Sequence, residues 1–112
     1  MHTDIARQYN LYYHAMVMFE WDDDKNAANI AKHGVSFQRA SRIFESRVLT
    51  VIDSRADYGE VREISIGIVE AILFLTVVHT DRQGVARIIS ARRANRAERR
   101  RYEEALRTRA DD

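Results

Sequence analysis

The chain has 112 residues, 46% hydrophobic and 31% charged, which suits one soluble domain with a single core and leaves too little length for two. It has no cysteine, so disulfides, thiolate nucleophiles and thiolate zinc sites are excluded, and no apolar run nears the ~20 residues of a membrane span. The net charge of +1 conceals an asymmetry, −4 over residues 1–81 and +5 over residues 82–112, which places a polyanion site in the C-terminal third.

Residues 1–15 carry Ile5, Tyr9, Tyr12 and Tyr13 at near-helical spacing without a cap or stop, and read as an N-terminal extension ahead of one domain over residues 16–109. An appended helix and a start codon upstream of Met16 or Met18 explain them equally well. They form no apolar signal region, so the chain reads as cytoplasmic.

Val17 to Trp21 favours a strand. Asp22 then caps a helix whose first turn carries Asp23 and Asp24 at the positive end of the dipole. Ala27, Ile30 and Ala31 give that helix an apolar stripe, and His33-Gly34 closes it through a left-handed glycine. Ser36 caps a second helix with Phe37, Ala40, Ile43 and Phe44 on one face. Val48 to Ile52 is a short strand and residues 53–60 a loop. Ile64, Ile66 and Ile68 alternate as a half-buried strand, and the branched run from Ala71 to Val78 suits a central one. Gly84 marks a hairpin, with Val85 to Ala91 as the return strand. Asn95 with Glu98 has capping-box spacing before a last helix bearing Ala97, Ala105 and Leu106. The expected fold is α+β: two N-terminal helices, an antiparallel sheet of about four strands, and a C-terminal helix.

His79 and Thr80 end the central strand, and a hairpin at Gly84 would bring Arg87 and Ser90 across from them. An imidazole beside arginines suits proton transfer and phosphate stabilisation, the requirements of RNA cleavage through the 2′-hydroxyl. The plainer reading makes His79 a structural strand-end residue. Arg92, Arg93, Arg96, Arg99, Arg100 and Arg101 spread around a helix, with too few glutamates to neutralise them, and suit a phosphate-backbone surface. Lys25, Asn29 and Lys32 share a polar helix face that would line a groove or simply meet solvent. Trp21 and Phe37 read as core anchors. Neither His33, His79 nor the triplet Asp22 to Asp24 has ligand-spaced partners, so no metal site is expected.

Phe19-Glu20-Trp21-Asp22, Lys25, Asn29, Lys32-His33-Gly34-Val35, Phe37 and Ala40, followed by His79-Thr80, Arg87-Ile88-Ile89-Ser90-Ala91-Arg92, Ala94, Glu98-Arg99 and Tyr102, resemble the BrnT toxin family over about residues 18–104. Asp57-Tyr58-Gly59-Glu60 and Arg62 continue the likeness. Two features depart from it: the extension at residues 1–15, and Glu45-Ser46-Arg47 where a proline commonly stands. The resemblance implies a toxin of a type II toxin–antitoxin pair, a RelE-like ribonuclease that inhibits translation, neutralised by a DNA-binding BrnA antitoxin. Operator DNA would be bound only through that complex. The polar positions carried over are Lys25, Lys32, His33, His79, Thr80, Arg87, Ser90, Arg92, Glu98 and Tyr102.

Together these readings predict a metal-independent endoribonuclease without cofactor. His79, Arg87, Arg92 and Lys25 are its expected catalytic residues; Lys32, His33, Thr80, Ser90, Arg93 and Tyr102 are expected to bind RNA. The rivals are a non-catalytic nucleic-acid-binding module acting with a partner, and a subunit stable only with its partner.

Overall fold

The computed structural model describes residues 18–111, so the extension assigned to residues 1–15 lies outside the described residues. In chain order the elements are β1 (Met18–Glu20), α1 (Asp23–His33), α2 (Phe37–Ser41) with a 3-10 turn at Arg42–Glu45, β2 (Leu49–Asp53), β3 (Arg62–Val69), β4 (Leu73–Arg82), β5 (Val85–Arg93) and α3 (Arg96–Asp111). The sheet order is β1-β5-β4-β3-β2. Strands β2 to β5 form an antiparallel meander, and β1 pairs with β5 in parallel. The α+β expectation is therefore right, but the sheet is mixed and has five strands. The α1–α2 pair carries the chain across one sheet face between β1 and β2, and this crossover leaves β1 at the far edge, parallel to β5.

The helix ends form where the side-chain chemistry put them. Asp22 Oδ1 accepts from the Lys25 N–H at 3.0 Å, Ser36 Oγ accepts from the Arg39 N–H at 3.0 Å, and Gly34 closes α1 at φ 73°. Asn95 Oδ1 accepts from the Glu98 N–H at 2.8 Å while Glu98 Oε1 accepts from the Asn95 N–H at 2.9 Å, a complete capping box.

Val35, Phe37, Ala40, Ile43 and Phe44 pack on Leu75, Val77, Ile88 and Ala91 to make the core, with Trp21 edge-on to Phe37 at 6.2 Å. Helix α1 docks differently from its apolar stripe: Ala27, Ile30 and Ala31 are exposed. Asn29 is buried instead, donating through Nδ2 to the Val35 and Ala91 carbonyls at 2.9 and 2.8 Å and accepting from the Ala91 N–H at 3.2 Å. Asn26 Oδ1 accepts from the Phe37 N–H at 2.8 Å. Four hydrogen bonds to backbone groups that would otherwise be left unpaired outweigh the small area two alanines offer. Asn29 is thus a tie between α1 and β5, not part of a substrate-facing surface.

Gln83 and Gly84, at φ 57° and 87°, are the central pair of the two-residue turn joining β4 to β5. The β3–β4 turn places Glu70 and Ala71 at positive φ, which delays β4 to Leu73; Arg39 and Arg42 hold the Glu70 carboxylate. On the opposite sheet face α3 covers one end only. Its Tyr102 lies edge-on to Phe74 at 5.9 Å and donates to the Arg47 carbonyl at 2.9 Å.

Candidate functional site

Strand alternation and a few contacts fix which side of the sheet each candidate faces. Thr50 Oγ1 lies 2.7 Å from Ser65 Oγ, which lies 2.7 Å from His79 Nε2, and the His79 ring stands edge-on to Phe44 at 5.2 Å. These residues therefore share the α1–α2 face. Thr76 donates to Glu98 Oε1 at 3.0 Å, so Thr76 and its neighbours two apart share the α3 face.

His79 is 6% exposed, and burial pushes its pKa down from 6.5 to about 4. The Glu63 carboxylate lies 3.8 Å from Nδ1, beyond hydrogen-bond reach, and burial is the cause of the shift. The imidazole is neutral at pH 7 and bound to a serine hydroxyl inside the protein. It pairs with Ile88, and a bulge between Val78 and His79, which inserts Ile89 into the return strand, turns Arg87 to the other face. Thr80 pairs with Arg87 and Val78 with Ser90. The expected cluster of His79 with Arg87 and Ser90 is thus split between the two faces. His79 and Thr80 line a cleft of about 840 Å³ together with Phe44, Ile52, Val61, Glu60, Glu63 and Asp81, whose three carboxylates do not suit a polyanion.

The α3 face has the opposite character. Half-buried Val51, Ile64 and Val78 form an apolar floor beside Ser90. Arg92 grips Glu98 with two bonds of 2.8 Å. The guanidinium holds the Glu98 carboxyl down at about 2, helped by the Asn95 N–H and the Thr76 hydroxyl, and Glu98 in turn raises the Arg92 pKa. Arg87, 28% exposed in its side chain, lies 3.4 Å from Glu20 Oε2. Further along, Asp53 is buried and held by Arg55, whose Nε and Nη2 donate to its two oxygens at 2.8 Å each. That pairing, the Arg55 backbone N–H and the Tyr58 hydroxyl at 3.2 Å keep Asp53 ionised, well below the usual carboxylate range. The Arg62 guanidinium sits 4.0 Å over the Tyr58 ring. An apolar floor rimmed by oriented arginines can take a nucleic-acid strand, phosphates to the rim and bases to the floor.

The remaining expected residues are scattered. Lys25 lies in the first turn of α1 near Asp22, whose pKa is lowered first by the Lys25 backbone N–H and also by the charges of Lys25 and Arg87. Lys32, exposed, lies about two turns further on, beside half-buried His33, on the other layer. Arg93 pairs with Leu75 and leaves the sheet on the α1–α2 side. Thr80 is buried and donates to the Val61 carbonyl at 2.7 Å. Tyr102 is 2% exposed, its pKa raised by burial, and serves the packing of α3 rather than a binding surface. The reading from residue chemistry passed over Asp53, Arg55, Tyr58 and Arg62. Their signal was present only in the familial look of Tyr58 and Arg62.

Among the described residues no group of three or more His, Cys, Asp or Glu side chains could hold a metal ion, and no helix is long and apolar enough to cross a membrane. A search of curated proteins found no match. The crystal structure of the Brucella abortus ribonuclease toxin BrnT shares this fold, with a TM-score of 0.53 at 23% identity, covering 70% of this chain and 99% of that one. The family model described as "Ribonuclease toxin, BrnT, of type II toxin-antitoxin system" matches residues 21–98. The chain therefore belongs to the BrnT family of ribonuclease toxins, whose members act on RNA and are paired with an antitoxin.

Proposed function

We propose that this toxin is a metal-independent endoribonuclease that cuts RNA on its α3 sheet face, halts translation, and is neutralised by a BrnA-type antitoxin through which alone it reaches operator DNA. The observation that carries this reading is the arginine-rimmed apolar floor: Arg87 and Arg92 stand on one face, each oriented by a carboxylate, beside the Ser90 hydroxyl.

In the proposed reaction the 2′-hydroxyl gives its proton to solvent water as its oxygen attacks the neighbouring phosphorus, and the bond to the 5′-oxygen breaks as that oxygen takes a proton from water, leaving a 2′,3′-cyclic phosphate and a 5′-hydroxyl. The phosphorane that forms carries one more negative charge than the diester, and Arg87 and Arg92 neutralise it where it develops. Lys25, whose charge acts on Asp22 as that of Arg87 does, holds a flanking phosphate. His79, buried and neutral on the opposite face, holds the sheet together through Ser65 and does not reach the phosphate.

Induced expression of Arg87→Ala or Arg92→Ala in a bacterial host tests this reading. Each is expected to abolish growth arrest, a loss on the order of 100-fold in cleavage for one oriented donor, while the protein still accumulates folded. Growth arrest by both folded variants would remove the α3 face from the reaction. A non-catalytic binding module, the rival reading, predicts arrest without cleaved RNA and equally steep salt dependence on DNA and RNA.

A further inference from the structure

Arg62 opens β3 two residues before Ile64, so it projects to the α3 face. Glu63 pairs with His79 and Arg87 with Thr80, which sets Arg62 beside Thr80 and puts the two arginines in one row, about 10 Å apart across two strand spacings. Thr80 between them is 2% exposed and donates to the Val61 carbonyl, so it does not screen one cation from the other. Arg62 is held by a ring. Its guanidinium lies 4.0 Å over Tyr58, whose hydroxyl is fixed at 3.2 Å on the buried Asp53 carboxylate. The nearest carboxylate oxygen, Glu60 Oε2, is 3.9 Å from Nε, beyond hydrogen-bond reach, and Glu60 is shared with Arg82 at 3.3 Å. Among the described residues the Arg62 Nε is buried without a hydrogen-bond partner, and neither terminal nitrogen is buried or bonded. Stacking fixes the plane of a guanidinium without using its N–H groups, so the terminal fork keeps its donors, and one carboxylate between two arginines leaves positive charge over. A phosphate oxygen at that fork would supply the acceptor that the protein does not.

From this arrangement we infer that Arg62 binds a phosphate of the RNA strand next to the one that Arg87 neutralises, which makes Arg62 a substrate-binding residue and Tyr58 its positioning residue. The inference rests on the reading of the α3 face as the RNA site and extends that site along the row to β3. A phosphodiester strand is the ligand class. A planar, always-charged fork matches phosphate oxygens, and two cations about 10 Å apart serve a ligand that repeats its charge better than they serve a single small anion.

The test titrates the full chain, wild type and with Arg62→Gln, Arg87→Gln, Tyr58→Leu or Tyr58→Phe, with a fluorescein-labelled 2′-O-methyl RNA oligonucleotide that cannot be cleaved through its 2′-oxygen. Arg62→Gln is expected to weaken binding about tenfold and to reduce the slope of log affinity against log salt by about 0.7, one phosphate contact. Tyr58→Leu takes away the ring and should weaken binding in the same direction, whereas Tyr58→Phe keeps it and should recover most of the affinity and slope. Thermal melting checks each fold, and Arg62→Met, which keeps the stem over Tyr58, replaces Arg62→Gln should that variant melt early. Unchanged affinity and slope in a folded Arg62 variant would overturn the inference; a reduced slope in Arg87→Gln beside it would leave the RNA face standing. Equal losses in Tyr58→Phe and Tyr58→Leu would overturn the positioning role of Tyr58. Cleavage of total RNA by the wild-type protein is measured in parallel. A slope reduced by Arg62→Gln in a protein that cuts no RNA would sink the ribonuclease mechanism and leave the Arg62 contact in place.

Discussion

A buried imidazole held neutral makes this protein acid-sensitive in a predictable window. Burial sets the folded-state pKa of His79 near 4, below the 6.5 of an exposed ring, so its contribution to stability is whole above pH 6.5 and drains away as pH falls towards 4. The loss amounts to about 3 kcal/mol by the linkage arithmetic. Thermal melts at steps from pH 7.5 to 4.5 should show the decline, and His79→Gln, which cannot titrate, should flatten it; an unchanged profile in that variant would mean that another group titrates. Asn29 is the second residue on which the fold turns. Asn29→Ala strands the Val35 carbonyl and both Ala91 backbone groups, a cost of about 2–3 kcal/mol that urea denaturation would report. For His79 a structural role was the plainer of two readings of the sequence; for Asn29 none was legible. Histidine and asparagine have the same side chains in a groove as in a core, and only the register distinguishes them. The inserted Ile89 turns Arg87 to the face away from His79, and nothing in the run Arg87-Ile88-Ile89-Ser90 marks a bulge.

Elements whose ends are set by local chemistry were the most legible part of the chain. The caps at Asp22, Ser36, Gly34 and Asn95 with Glu98 act within four residues of themselves, so a short motif suffices to place them. The capping box also reaches beyond its helix, because Glu98 is at once the N3 residue of α3, the partner of Thr76 and the anchor of Arg92. Glu98→Ala should therefore lower the melting temperature and weaken RNA binding together, whereas Asn95→Ala should cost about 1 kcal/mol and leave binding almost intact; equal losses of binding in the two variants would break that distinction. Gly67 shows the opposite kind of constraint, set by distant contacts. A Cβ there would stand 2.8 Å from Ile43 Cβ and 3.1 Å from Val48 Cγ1, so Gly67→Ala should cost about 1–3 kcal/mol, visible in the melting temperature. The stripe of Ala27, Ile30 and Ala31 misled for a related reason. Periodicity identifies a face, but the hydrogen bonds of Asn26 and Asn29 chose the side that docks.

Across the molecule, the sheet separates two chemistries. One face carries the α1–α2 core and a cleft with acidic lining, and the other carries the arginines that gather from β3, β5 and the β2–β3 segment. The charge asymmetry of the sequence predicts a polyanion site in the C-terminal third, the part of the chain that holds Arg87 and Arg92 of the proposed RNA face. The sequence could not show that Arg55 and Arg62, from the acidic part of the chain, fold over the same face, since that depends on strand order and on Asp53 being buried. RNA is proposed to be cut on the arginine face by its own 2′-hydroxyl, without a metal ion. The most direct measurement incubates the purified chain with total cellular RNA in excess EDTA, beside folded Arg87→Ala and Arg92→Ala proteins, and maps the ends of the fragments. Fragments ending in 2′,3′-cyclic phosphate are expected from the wild type and intact RNA from both variants; intact RNA from the wild type in EDTA, or equal cleavage by the variants, would rule out metal-independent cutting on this face.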